Sequence, residues 1–338
     1  MKFKVFIGID VSKETLDFTV LVKGAKLYYT REENNKAGIK AFHTSLKRLL
    51  NQLGFSLSDC LFCMEHTGIY CNPFLEFVQQ RGLVLWLEDG NRIKSFYGIS
   101  REKNDEVDSL MIAEYAYMKR NKVRLWEAPR PIIMKLKRLL ACRERLVSGK
   151  IRLAVPLNEA KGLISTADLK EEKALIQPLI KQMEKKIKAI EKRIIELIKS
   201  DEDLHGLFKL ICSVKGIGLI IGAHTLVVTN EFKLINEPKK MACHCGVAPF
   251  KKESGKTIRG KAKVSHRANK TMKKLLNLGA RSAVGSRGEL RDYYLRKISE
   301  GKNKMAVLNA VRNKLIHRMF ACVRENRKYE NFYQHSLA

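Results

Sequence analysis

The chain predicts an α/β domain in its first third and a helix-dominated remainder. Short apolar runs with period-2 alternation, bounded by turn residues, recur within the first 90 residues and not after them. From residue 133 onward, apolar residues return at steps of three and four instead. Acids stand at the tips of two of the predicted strands, while the chain as a whole carries 65 Lys and Arg against 35 Asp and Glu, a formal charge of +30. That balance makes a polyanion the default partner, and a chain that is 45% hydrophobic is no disordered basic tail.

Residues 3–9, FKVFIGI, place Phe3, Val5, Ile7 and Ile9 on one face and end at Asp10, a strand delivering a carboxylate at its C-terminal tip. A turn at 11–14 leads into a second strand at 16–22 and, after Lys23-Gly24-Ala25-Lys26, a third at 27–30, an opening β-meander. Ile39, Phe42, Leu46, Leu49 and Leu50 predict a helix over 36–53. A fourth strand, 60–64, ends at Glu65; a helix at 72–80 and a strand at 83–87 follow. Asp105 and Asp108 then fall in the first turn of a further helix, three residues apart and so on one face. This order of elements is that of an RNase H-like nuclease domain.

Gathered in one pocket, Asp10, Glu65, Asp105 and Asp108 would repel strongly unless cations neutralised them. Hard carboxylate oxygens suit Mg²⁺, with Mn²⁺ as a substitute, and leave open positions for phosphate oxygens; two such ions can clamp a phosphodiester. Taken singly, Asp10 also suits an Asx turn, and Asp105 with Asp108 also suits a helix cap and dipole partner. Their joint placement at matched strand ends favours the metal reading.

Beyond residue 130 the pattern predicts a basic amphipathic helix over 133–152, then a breaker-containing piece at 155–170. A long helix follows, with Ile180, Met183, Ile187, Ile190, Ile194 and Leu197 in a heptad seam. That seam suits an intramolecular hairpin and an arm, either for dimerisation or for carrying the last domain, equally well. Domains are expected at 1–145, 146–205 and 206–338. Gly216 and Gly218 resemble a helix-hairpin-helix turn whose amides bind phosphate, although close helix packing explains them as well. From Lys251 to Arg287 there are twelve Lys or Arg and one acid, Glu253. Ser254 in this run reads, by itself, as turn chemistry in a basic loop.

Eight Cys suit reduced thiols in a cytoplasmic, nucleoid-associated protein. A zinc site spanning Cys60, Cys63, Cys243, His244 and Cys245 is conceivable, but C-x-C is not a usual zinc spacing, and core positions are favoured. Neither a membrane span nor a signal segment is expected.

GIDVSKETLDF, CMEHTGIY, KNDEVDSLMIAEYA, LWEAP, VKGIG, CGVAPFKKESGKTIRG and VSHRAN, in this order, resemble the DEDD transposases of bacterial and archaeal insertion sequences. These are related to the pilin-gene invertase and are also called bridge-RNA-guided recombinases. The resemblance implies a RuvC-like N-terminal domain, a helical coiled-coil linker and a mainly α-helical transposase domain. It carries the acid tetrad onto Asp10, Glu65, Asp105 and Asp108, and a nucleophilic serine onto Ser254, in the SG-x-x-x-RG pattern with Gly255, Arg259 and Gly260. It further implies DNA and a structured noncoding guide RNA as partners, and a homodimer assembling to a tetramer in which one subunit's tetrad meets another's serine.

Lys215, Lys251, Lys252, Lys256, Arg259, Lys261, Lys263 and Arg267 are the expected nucleic-acid contacts. The chain departs from the family's pattern at Lys215, where Pro is common, and at Asp89-Gly90-Asn91, where Asn-Pro is common. Two other activities compete with strand transfer through a 5′-phosphoserine: a Holliday-junction nuclease in which water attacks, and a non-catalytic RNA-binding scaffold.

Overall fold

The computed structural model describes residues 3–97, 104–254, 258–265 and 268–330. The chain divides into two compact units, 1–128 and 129–338.

In the first unit, β1 (Val5–Val11), β2 (Thr15–Val22) and β3 (Ala25–Glu33) form the expected meander, followed by α1 (Lys36–Leu53). Asn35 caps α1 by accepting from the amides of Ala37 and Gly38, and Gly54 closes it in the left-handed region at φ 70°. Next come β4 (Cys60–Glu65), α2 (Asn72–Arg81), β5 (Leu85–Glu88), α3 (Gly90–Tyr97) and α4 (Asp105–Met118). The sheet order is β3-β2-β1-β4-β5. β2 runs antiparallel to β1 and β3, while β4 is parallel to β1 and β5 to β4. One antiparallel strand in that order is the RNase H-like topology, as the element order predicts.

Both faces of the sheet are covered, which is why β1, β2 and β4 are buried almost throughout. On one side Val5, Ile7, Ile9 and Phe18 join Phe42, Leu46 and Phe74 of the helices. On the other Phe6, Leu21 and Leu61 join Ile112, Ala113 and Ala116 of α4. The eight-residue α3 is an addition to the sequence expectation, since Asp89-Gly90-Asn91 has the composition of a turn.

Among its described residues, the second unit is helical apart from one hairpin. α5 (Pro131–Glu159) and α6 (Thr166–Lys199) pack on each other as a helical pair, tied by Arg143–Glu191 at 2.7 Å and Lys150–Glu184 at 3.3 Å. Ile180, Ile187 and Ile194 of the seam are buried. The breaker piece expected at 155–170 shrinks to a six-residue turn, because α5 carries Pro156 in its last turn. There the missing N–H costs one bond near an end that frays in any case.

Then follow α7 (Glu202–Cys212), α8 (Leu219–Thr229), α9 (Pro238–His244), β6 (Pro249–Ser254), β7 (Ile258–Val264), α10 (Lys270–Gly285), α11 (Glu289–Ser299) and α12 (Lys304–Arg324). Ile133, Leu136, Leu140, Ile194 and Ile198, at the base of the helical pair, share one core with Met272, Leu276, Leu315 and Met319. Cys60, Cys63, Cys71, Cys245 and Cys322 are buried, and burial pushes the Cys60 thiol up to about 12. These positions fit apolar packing rather than thiolate chemistry. Among the described residues no helix is long and apolar enough to cross a membrane.

Candidate active site

Asp10 is the penultimate residue of β1, and Glu65 ends the neighbouring parallel strand β4, so the register delivers both carboxylates to the same edge of the sheet. α4 brings the other two. Asn104 caps this helix by accepting from the Val107 amide at 2.8 Å, which fixes Asp105 and Asp108 in its first turn.

The helix can approach only because β1 carries Gly8. A Cβ at that position would collide with the Ser109 carbonyl and the Ala113 amide nitrogen of α4. A buried hydrogen bond of 2.8 Å between the hydroxyls of Ser109 and Thr19 pins the helix to β2. Gly90 performs a similar service for Glu65, since a Cβ there would fall on the Glu65 carboxylate.

The electrostatics record the gathering. Burial pushes the Asp10 carboxyl up to about 6, and the charges of Asp108, then Asp105 and Glu65, act in the same direction; a backbone hydrogen bond at Val11 opposes them. Two of the four acids already have cations. Arg31 on β3 donates from Nη2 to Asp105 Oδ2 at 2.6 Å, and Lys94 lies 3.8 Å from Glu65 Oε1. Among the described residues, no three His, Cys, Asp or Glu side chains stand close enough together to hold a metal ion as arranged. The donor set itself fits Mg²⁺ or Mn²⁺ in its chemistry: four hard carboxylates, Asp10 with three other acids acting on it.

Two further acids near this edge escaped the sequence reading. Asp17 on β2 faces Asp10 in register and is 1% exposed; Tyr29 and Arg31 both donate to its Oδ1, at 2.6 and 2.9 Å. Glu88 at the end of β5 lies beside Glu65 in register and is buried. It accepts from Tyr115 at 3.2 Å and pairs with Arg92 at 3.5 Å. Both carboxylates are already satisfied, so they scaffold the site. A polar residue interrupting an apolar strand was the available signal for Asp17.

In the second unit the backbone puts Ser254 at the end of β6, opposite Ile258, with Glu253 opposite Arg259. The basic loop expected from the sequence is therefore a two-stranded hairpin. Its turn at 255–257 lies outside the described residues, as do Lys256 and Arg267. Lys251 and Lys252 fall on β6, and Arg259, Lys261 and Lys263 on β7. The hairpin is anchored where it enters: Asn309 of α12 donates to the Val247 carbonyl at 2.8 Å.

Lys215 donates to the Arg287 carbonyl. Gly216, at φ 93°, packs against Gly279 of α10, so close helix approach accounts for this glycine. Gly218 stands open at the start of α8.

An RNase H-like sheet with acids at adjacent strand tips is the scaffold of a nucleic-acid-processing enzyme. Two family models match the chain, one described as "Transposase" over residues 7–160 and one as "Transposase IS116/IS110/IS902 family" over 208–295. The chain belongs to the IS116/IS110/IS902 family of transposases.

Pilin gene-inverting protein of Moraxella lacunata is 23% identical over 335 residues, covering 97% of this chain and 98% of that one. The Moraxella bovis protein of the same name is 22% identical over the same span. An insertion element IS116 protein of Streptomyces clavuligerus is 25% identical over 147 residues, 44% of this chain and 36% of that one. Among solved structures, T. thermophilus RuvC in complex with a Holliday junction substrate matches 36% of this chain and 99% of its own, at 11% identity and a TM-score of 0.28.

Proposed function

We propose that this chain is a DNA recombinase that cuts and rejoins strands through a covalent serine intermediate. Asp10, Glu65, Asp105 and Asp108 would hold Mg²⁺, or Mn²⁺ in its place. Bound there, the metal supplies Lewis-acid polarisation of a scissile phosphate.

The observation that carries the metal half is the β1–β4 register, which puts Asp10 beside Glu65, together with the first turn of α4 that brings Asp105 and Asp108; burial and these acids push the Asp10 carboxyl up. The serine half rests on the family membership and on the place of Ser254 beside the basic residues of β6 and β7. The Ser254 hydroxyl attacks phosphorus, the new Oγ–P bond replaces the P–O3′ bond, and the departing DNA 3′-oxygen takes up a proton. Lysines and arginines of the hairpin stabilise the charge that develops on the phosphoryl oxygens. Attack by a 3′-hydroxyl of another strand reverses the step. The number of phosphodiester-type bonds is unchanged, so no nucleotide triphosphate is consumed.

In this proposal the tetrad of one protomer works with Ser254 of another in a dimer or tetramer, and a structured noncoding RNA selects donor and target by base pairing. The charge of +30 suits the simultaneous handling of two nucleic acids. The test is adduct trapping: with cognate DNA, RNA and Mg²⁺, the protein should become linked to a DNA 5′-phosphate, and Ser254→Ala should abolish the link while keeping RNA affinity. Strand joining by Ser254→Ala would refute the serine's role.

A further inference from the structure

The sheet register sets up a relay of charge that the tetrad alone does not require. Asp10 on β1 faces Asp17 on β2, and Asp17 faces Arg31 on β3. Asp17 is a buried carboxylate, and an unpaired charge there would be costly. Tyr29 and Arg31 Nε satisfy the same oxygen of it, so the guanidinium is fixed at its root. The far end of that guanidinium reaches across to Oδ2 of Asp105. Lys26, on the same strand, pairs with Glu106, the next residue of α4. One strand thus presents two cations to the first turn of the helix that carries half the tetrad. Among the described residues, Asp10 and Asp108 have no cation at ion-pair distance, so the compensation is confined to the outer carboxylates.

A planar fork held by one carboxylate can bind a second without reorganising, which a lysine cannot do. We propose that Arg31 is a positioning residue acting as an internal counter-cation: pinned by Asp17, it holds the Asp105 carboxylate until a divalent metal takes it, and so weakens metal binding by the tetrad. The proposal rests on the metal reading of Asp10, Glu65, Asp105 and Asp108 above. Metal loading then has a defined competitor, and cutting is held back until the ion and the phosphate together outweigh it.

The test is Mn²⁺ binding to the full chain without nucleic acid, followed by electron paramagnetic resonance of the free ion. In Asp17→Asn/Arg31→Gln both members of the anchoring pair become neutral, so no buried charge is stranded, and Asp105 is freed. Half-saturating Mn²⁺ should fall about five-fold, the upper range for a half-exposed ion pair. Generic damage to the site would weaken binding, so tightening is a signature that a structural role alone does not produce. Arg31→Lys serves as a second variant and decides the matter if the double variant does not fold: its single ammonium keeps Asp17 paired, releases Asp105, and should also tighten binding. Unchanged or weaker Mn²⁺ affinity in the variant that folds overturns the counter-cation. Wild-type protein with no Mn²⁺ binding sensitive to Asp10→Asn would overturn the tetrad itself, and Arg31's role with it.

Discussion

Replacing Asp10 by Asn should make the metal-free protein more stable at neutral pH. The Asp10 carboxyl rises from 3.8 to about 6 on folding, so the folded state holds this proton more tightly than the unfolded chain does. The sign follows: a raised carboxyl favours folding below about 3.8, and that advantage is lost as pH climbs to about 6. Above that, the folded protein carries a charge it disfavours. A shift of roughly two units corresponds to about 3 kcal/mol at most, and partial exposure with solvent screening cuts this to about 1–2 kcal/mol. Asn keeps the shape and removes the charge, so melting at pH 7.5 in EDTA should rise by roughly 3–8 °C. At pH 4 the two proteins should melt within about 1 °C of each other, because folded Asp10 is then already protonated. Adding Mg²⁺ at about a hundred times its dissociation constant should stabilise the wild type by about 2.7 kcal/mol and leave the variant nearly unmoved. Equal melting at pH 7.5, or the same gain at both pH values, would refute the picture of crowded, undercompensated carboxylates.

Gly90→Ala should keep the fold but weaken divalent-metal binding at least ten-fold by titration, because the added methyl displaces the Glu65 carboxylate. Gly8→Ala should cost about 1–3 kcal/mol in denaturant unfolding and separate α4 from β1, reducing metal affinity as well, since the intruding Cβ meets backbone and not a side chain that can swing away. Arg130→Ala should cost about 2–4 kcal/mol in the second unit. Arg130 bonds Asp201 at 2.7 Å and also pairs with buried Glu231, whose remaining cation, Lys233, is 3.9 Å away. Its loss leaves metal binding by the first unit unchanged, which the same titration checks.

The sheet was legible because its physics is local. Val5, Ile7 and Ile9 alternate with Gly8 and Asp10, and a half-dozen such residues determine a strand end. The same locality explains α4, where Asn104 and the acids of the first turn make a start signal. What escaped depends on register. Nothing in the order LDFTVLV says that Asp17 will meet Arg31, because that pairing is decided by how β2 and β3 align, including the irregularity between Val20 and Leu21. Arg31 accordingly carries no mark in the sequence that separates it from the other Lys and Arg of the chain. The role of Gly90 is equally non-local, since Glu65 precedes it by 25 positions. At the other end, Lys-rich β6 and β7 lack the period-2 apolar pattern, so a hairpin resembled a loop. The breaker expected from Pro156 falls inside the final turn of α5, where the helix loses one i→i−4 bond close to its end instead of being cut in the middle.

The central claim is tested most directly by incubating the full chain with the proposed guide RNA, Mg²⁺ and DNA labelled on either side of the scissile bond, then denaturing it. Wild-type protein should carry the label 3′ of the break, attached through a phosphate to Ser254, and Ser254→Ala and Asp10→Asn should each lose it. Cut DNA with free 5′-phosphates, produced equally by the wild type and Ser254→Ala, would contradict the account and leave water as the nucleophile.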